Sequence, residues 1–131
     1  MIQVEWGNIE KSVVLWKFSY PWVWEDFYSA QRTVDAMMDS VTGYVDNIFL
    51  TTEEQRIPKD AIMHFRNIVK QQHPRSNRIV VVGAKPRLSL LLNVIFSLIP
   101  SARLQFRYVT SLDAAYALLT TSEAIIDKQA S

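Results

Sequence analysis

Apolar and polar positions change rhythm along this chain, and each rhythm predicts an element. Gln3 to Trp6 and Val13 to Phe18 have the composition of strands, and Gly7-Asn8 between them predicts a hairpin. Phe27, Ala30, Val34, Met37, Met38 and Val41 then recur at helical spacing, with Glu25 and Asp26 in the first turn, where a helix dipole favours acids. A helix from about Trp24 to Ser40 follows, with Gly43 as its stop. Val23 stands where a capping Ser or Thr is expected, so this helix start must rely on packing or water for its free N–H groups.

Val45 to Leu50 read as a strand, followed by a polar loop from Thr51 to Arg56. Pro58 suits the first position of a second helix, whose apolar face is Ala61, Ile62, Phe65, Ile68 and Val69. Ile79 to Val82 is a β-branched run without alternation, which suits a central parallel strand buried on both faces. Pro86 opens a helix to about Leu98, Leu104 to Val109 is a fifth strand, and Ser111 is the N-cap of a last helix bearing Ala115, Leu118 and Leu119. The order β-β-α-β-α-β-α-β-α implies right-handed crossovers in an α/β fold. We expect one domain over residues 1–131, with a mostly parallel five-stranded sheet, an N-terminal antiparallel hairpin and four helices.

A length of 131 residues, 49% hydrophobic and 21% charged, is ordinary for one soluble globular domain. The absence of Cys excludes disulfides, thiolate metal sites and Cys nucleophiles, and fits a reducing cytoplasm. The N-terminus carries an acid and lacks the basic and apolar regions of a secretory signal. The longest apolar stretch, Leu88 to Ile99, covers roughly 18 Å as a helix against about 30 Å of hydrocarbon, so no membrane span is expected.

Familiar catalytic patterns are missing. Gly83 stands alone, which excludes a P-loop and a dinucleotide fingerprint. His64 and His73 are nine apart rather than four, and read as a surface residue and a turn residue. No Ser sits on a Gly-flanked elbow, and the adjacent acids Glu25-Asp26 and Glu53-Glu54 are explained by a helix dipole and an exposed loop. No catalytic residue, metal or cofactor is expected.

Three features rise above this background. Residues 1–54 hold three bases against nine acids, whereas residues 55–107 hold ten bases and only Asp60, so a net charge of +1 conceals a dipole. The basic part could receive an acidic partner, a phosphorylated ligand or nucleic acid, or pair with the acidic part on folding; the near-neutral total argues against a uniformly basic nucleic-acid binder, and no nucleic acid is expected. Gly83, Lys85 and Arg87 lie where a parallel strand feeds a helix, a candidate anion site because helix N-termini present free N–H groups. Finally, apolar residues fill most of the helix opened by Pro86. Leu91, Ile95 and Leu98 are candidates for an interface, and so are Trp22 and Trp24, which could equally be core lids.

The element order resembles the STAS domains, the fold of anti-sigma-factor antagonists and of the cytoplasmic tails of sulfate transporters. The resemblance is closer to a group of uncharacterised bacterial STAS-like proteins and covers nearly the whole chain. It is carried by Trp22-Val23-Trp24-Glu25-Asp26-Phe27-Tyr28, Ile57-Pro58-Lys59-Asp60-Ala61, His73-Pro74 and Val81-Val82-Gly83-Ala84. It implies protein partners such as signalling or anti-sigma-type factors, and we expect a cytoplasmic, non-enzymatic regulatory or binding module that is a homodimer through the helix opened by Pro86 or the Trp22 and Trp24 cluster. STAS antagonists carry a phosphoacceptor Ser at the start of the helix that here begins near Pro58, Lys59 and Asp60. No hydroxyl occupies that string, and Thr51 and Thr52 lie upstream in the loop. The alternative is a carrier of an apolar or anionic small molecule, since STAS-like folds are related to lipid-binding domains.

Overall fold

A computed structural model describes residues 1–51, 57–83, 93–94, 97–98 and 106–120. Five strands, β1 (Ile2–Trp6), β2 (Val13–Phe18), β3 (Val45–Leu50), β4 (Ser76–Val82) and β5 (Phe106–Val109), form one sheet in chain order. β1 pairs antiparallel with β2, and every later neighbour is parallel, as the element order predicts. Three helices are described: α1 (Trp24–Asp39), α2 (Ala61–Lys70) and α3 (Leu112–Leu119). The helix expected from Pro86 to Leu98 lies outside the described residues, apart from 93–94 and 97–98.

Alternation along β2 divides the interior into two layers. Val14, Trp16 and Phe18 join α1 and Phe65 of α2 on one face, while Val13 and Leu15 join Ala115 and Leu119 of α3 on the other. Phe27 of α1 is the hub of the first layer. Its ring lies 5.1 Å from that of Trp16 and 6.0–6.5 Å from those of Phe18, Trp22, Trp24, Phe49 and Phe65.

Helix starts depart from expectation in instructive ways. At α1 the Val23 side chain can accept nothing, but Asp26 Oδ2 accepts from the Val23 N–H at 3.0 Å, supplying the return half of a capping box. At α2 the helix begins at Ala61 rather than at Pro58. Asp60 is left-handed (φ 65°), a conformation Asp tolerates better than most residues, and this breaks the helical run three residues later than the proline suggests. Ile62, assigned to the buried face of this helix, is 39% exposed. α3 starts as expected, with Ser111 Oγ accepting from Ala114 N at 3.1 Å.

The interior strand β4, between β3 and β5, begins at Ser76, three residues before the apolar run, and all seven of its residues are buried. Its polar start is stable because each side chain has a partner. Ser76 Oγ accepts from Asn47 Nδ2 and Gln72 Nε2, while Asn77 Nδ2 donates to Asp46 Oδ1. The Arg78 guanidinium bonds both carboxylate oxygens of Asp46 and the carbonyls of Leu118 and Leu119, capping the C-terminus of α3. Arg75 does the same for α1 through the Met38 carbonyl. Two bases of the cationic middle third are thus spent inside the fold.

Tyr108 of β5 has the opposite accounting. Its hydroxyl is buried without a hydrogen-bond partner among the described residues, and burial pushes its ionisation up to about 12 from an ordinary 10.0. Unfolding releases that proton at lower pH, so this group lowers stability as pH rises from 10 towards 12. Tyr108→Phe is expected to leave stability at neutral pH unchanged or raise it by about 1 kcal/mol, because it removes an unsatisfied polar atom. Urea denaturation checks this, and a loss of more than about 1 kcal/mol would show that the hydroxyl has a partner in solution.

Candidate binding face at the carboxyl edge of the sheet

Because β2 to β5 are parallel, their C-terminal ends lie along one edge, where α1, α2 and α3 all start. Open α/β sheets characteristically place ligands and partners at this edge. The N-terminus is held there too: the Met1 ammonium donates to the carbonyls of Ser19 (2.8 Å) and Pro21 (2.7 Å).

Aromatic packing joins the entrances of α1 and α2. Trp22 meets Trp24 edge-on at 5.1 Å, and the Trp24 ring meets Phe65 edge-on at 5.3 Å. The Trp24 indole N–H donates to the Lys59 carbonyl at 2.7 Å, which holds the segment before α2 against α1. His64 stacks on Trp24 at 4.7 Å, and its Nδ1 is 2.8 Å from the Tyr28 hydroxyl. His64 is therefore a packed, half-buried residue and not the simple surface residue its position suggests.

On the other side of this edge, Thr51 bonds the Val82 carbonyl twice, through its N–H (3.1 Å) and its hydroxyl (2.7 Å), and Gly83 N–H donates to Val109 O. Gly83 has φ +78°, and a Cβ there would sit 3.2 Å from the Thr51 carbonyl, so this turn needs glycine. Lys85 and Arg87, the charged part of the expected anion site, lie outside the described residues, as do Leu91 and Ile95.

The sequence candidates divide accordingly. Trp22 and Trp24 are each 8% exposed, so their indoles serve the core, and the groups this edge offers to a partner are Val23 (54% exposed) and Tyr20 (46%). Pro58 is half-buried, and Lys59 and Asp60 are exposed. Leu98 is 49% exposed. Sequence reasoning missed Val23 and Tyr20. The signal for them is local: between two buried tryptophans in extended chain, the intervening side chain points outward.

His73 is tied into the segment between α2 and β4. His73 Nε2 donates to Asp39 Oδ1 at 2.8 Å while Nδ1 accepts from the Arg75 N–H at 3.1 Å, which occupies both ring nitrogens. Burial pushes the neighbouring Asp35 carboxyl above its ordinary range, with His73 pulling it back and Asp39 adding to the rise. Asp35 borders a cavity of about 40 Å³ between α1, α2 and the sheet, lined also by Trp16, Gln31, Asn47 and Ser76. That volume suits water, not a lipid or metabolite, whose pockets are on the order of 300 Å³ or more.

Among the described residues, no helix is long and apolar enough to cross a membrane. No family model, curated protein or solved structure matches this chain.

Proposed function

We propose that this protein is a non-enzymatic regulatory module of STAS type that binds a protein partner through the carboxyl edge of its sheet, without a phosphoacceptor serine. The observation that carries the reading is the joined entrance of α1 and α2. The Trp24 indole N–H donates to the Lys59 carbonyl, which ties the exposed Lys59-Asp60 segment to the start of α1, where Val23 is exposed as well. The entrance to α2 offers the Asp60 side chain in a string with no hydroxyl to modify, so partner binding there does not depend on a phosphate. The five-stranded sheet, parallel apart from its first pair, is the one that the element order predicts, and the reading is built on it. The carrier alternative gains no support from the cavity beside Asp35, which is too small for such a cargo, and the helix expected to line its cleft lies mostly outside the described residues.

Affinity capture from the native host tests this. Val23→Arg combined with Lys59→Glu is expected to lose a discrete set of proteins that wild type and Ile9→Arg both retain. Ile9 is 96% exposed in the hairpin at the opposite edge. Equal recovery by both variants would contradict the proposal.

A further inference from the structure

We infer a second contact surface on the outer stripe of α2, suited to an acidic, amphipathic segment of a partner protein. This rests on reading the chain as a binding module, and it assigns a surface and a partner chemistry that the carboxyl edge alone does not.

Ile62, Arg66 and Lys70 follow one another at four-residue spacing, with Met63 and Asn67 alongside, so all five lie on one face of α2. That face is turned to solvent. Met63 is 53% exposed, and Val94 across the groove is 52% exposed. The groove between them, about 640 Å³, is bordered by Ile62, Met63, Arg66, Lys70 and Val94, with Asp60 the one acid among its lining residues. Large apolar side chains exposed singly need no explanation, but three converging on one groove do.

Charge selects the occupant. Arg66 and Lys70 are exposed and, among the described residues, make no ion pair. Their counterparts Arg75 and Arg78, by contrast, are spent on helix C-termini and Asp46. The positive charge concentrated in the middle third of the chain therefore reaches solvent, among the described residues, largely along α2. A concave groove with apolar residues on both walls and cations along one of them fits a helix that inserts aliphatic side chains and presents Asp or Glu to Arg66 and Lys70. A flat anionic lipid surface would not fill it.

The test uses the isotope-labelled full chain and a short helical peptide with leucines at i, i+3 and i+7 flanked by glutamates. Amide shifts are expected in residues 61–70 and at Val94. Arg66→Glu combined with Lys70→Glu is expected to weaken binding roughly tenfold or more, as is raising salt to about 0.5 M, and a peptide with lysine in place of glutamate is expected not to bind. All of these side chains are exposed, so a circular dichroism spectrum unlike that of wild type is not expected for the variant. Three results would each overturn the inference: no α2 shifts at millimolar peptide, binding that survives the double reversal, or binding confined to phosphatidylserine vesicles. None of these outcomes touches the capture experiment at Val23 and Lys59, so the two proposals fail separately.

Discussion

Replacing Phe27 with alanine is expected to destabilise the protein by about 3–5 kcal/mol, the range for emptying a large aromatic from a core. Phe27 is 2% exposed and six aromatic rings surround it, drawn from β2, β3, both helices of this layer and the Trp22 segment. Interlocked rings cannot collapse into the vacated volume without leaving their own contacts, so the cost should lie towards the upper end. Because Trp22 and Trp24 lean on the same ring, the damage should reach the carboxyl edge as well. Guanidinium denaturation measures the first effect, and faster hydrogen exchange at residues 22–27 reports the second. A loss under about 1.5 kcal/mol would mean that Phe27 is not the hub described.

Asp46→Ala is expected to cost a comparable amount, about 3–5 kcal/mol, for a different reason. Arg78 and Asp46 pair with side chains only 8% and 13% exposed, and Asp46 also accepts from Asn77 Nδ2 and the Arg78 N–H. Removing the acid strands a buried guanidinium and leaves two further donors without their acceptor. Asp46→Leu combined with Arg78→Met removes both charges and should be less destabilising than Asp46→Ala, since no buried charge remains unpaired. It should still release the C-terminus of α3, whose Leu118 and Leu119 carbonyls Arg78 caps. Urea denaturation ranks the variants, and a single mutant no worse than the double would show that the pair is effectively solvated.

The same residues explain what could and could not be read from the chain. β2, β3 and α1 were legible because burial and periodicity agree there: β2 runs over Val13–Phe18 and α1 starts at Trp24, as the pattern predicts. The start of β4 was not. Ser76, Asn77 and Arg78 resemble loop residues until partners some thirty to forty positions away, at Asn47, Asp46 and Leu119, make their burial affordable. The start of α2 was displaced by one backbone angle at Asp60, which composition does not encode. For the candidate face, strand–helix alternation was enough to place Gly83, Pro58 and Trp24 at one edge. Which side chains that edge presents depended on the indoles turning inward, and on Trp24 finding the Lys59 carbonyl. The cationic middle third was visible in the sequence, but its division into Arg75 and Arg78 inside and Arg66 and Lys70 outside follows only from the fold.

The proposed role of the carboxyl edge is tested most directly by site-specific photo-cross-linking in the native host. A photoreactive residue is placed in turn at Val23, Lys59 and Ile9. If the joined entrances of α1 and α2 receive a partner, positions 23 and 59 yield an adduct with the same protein and position 9 does not. Adducts with unrelated proteins from positions 23 and 59, or an equal yield from position 9, would contradict a shared binding face at this edge.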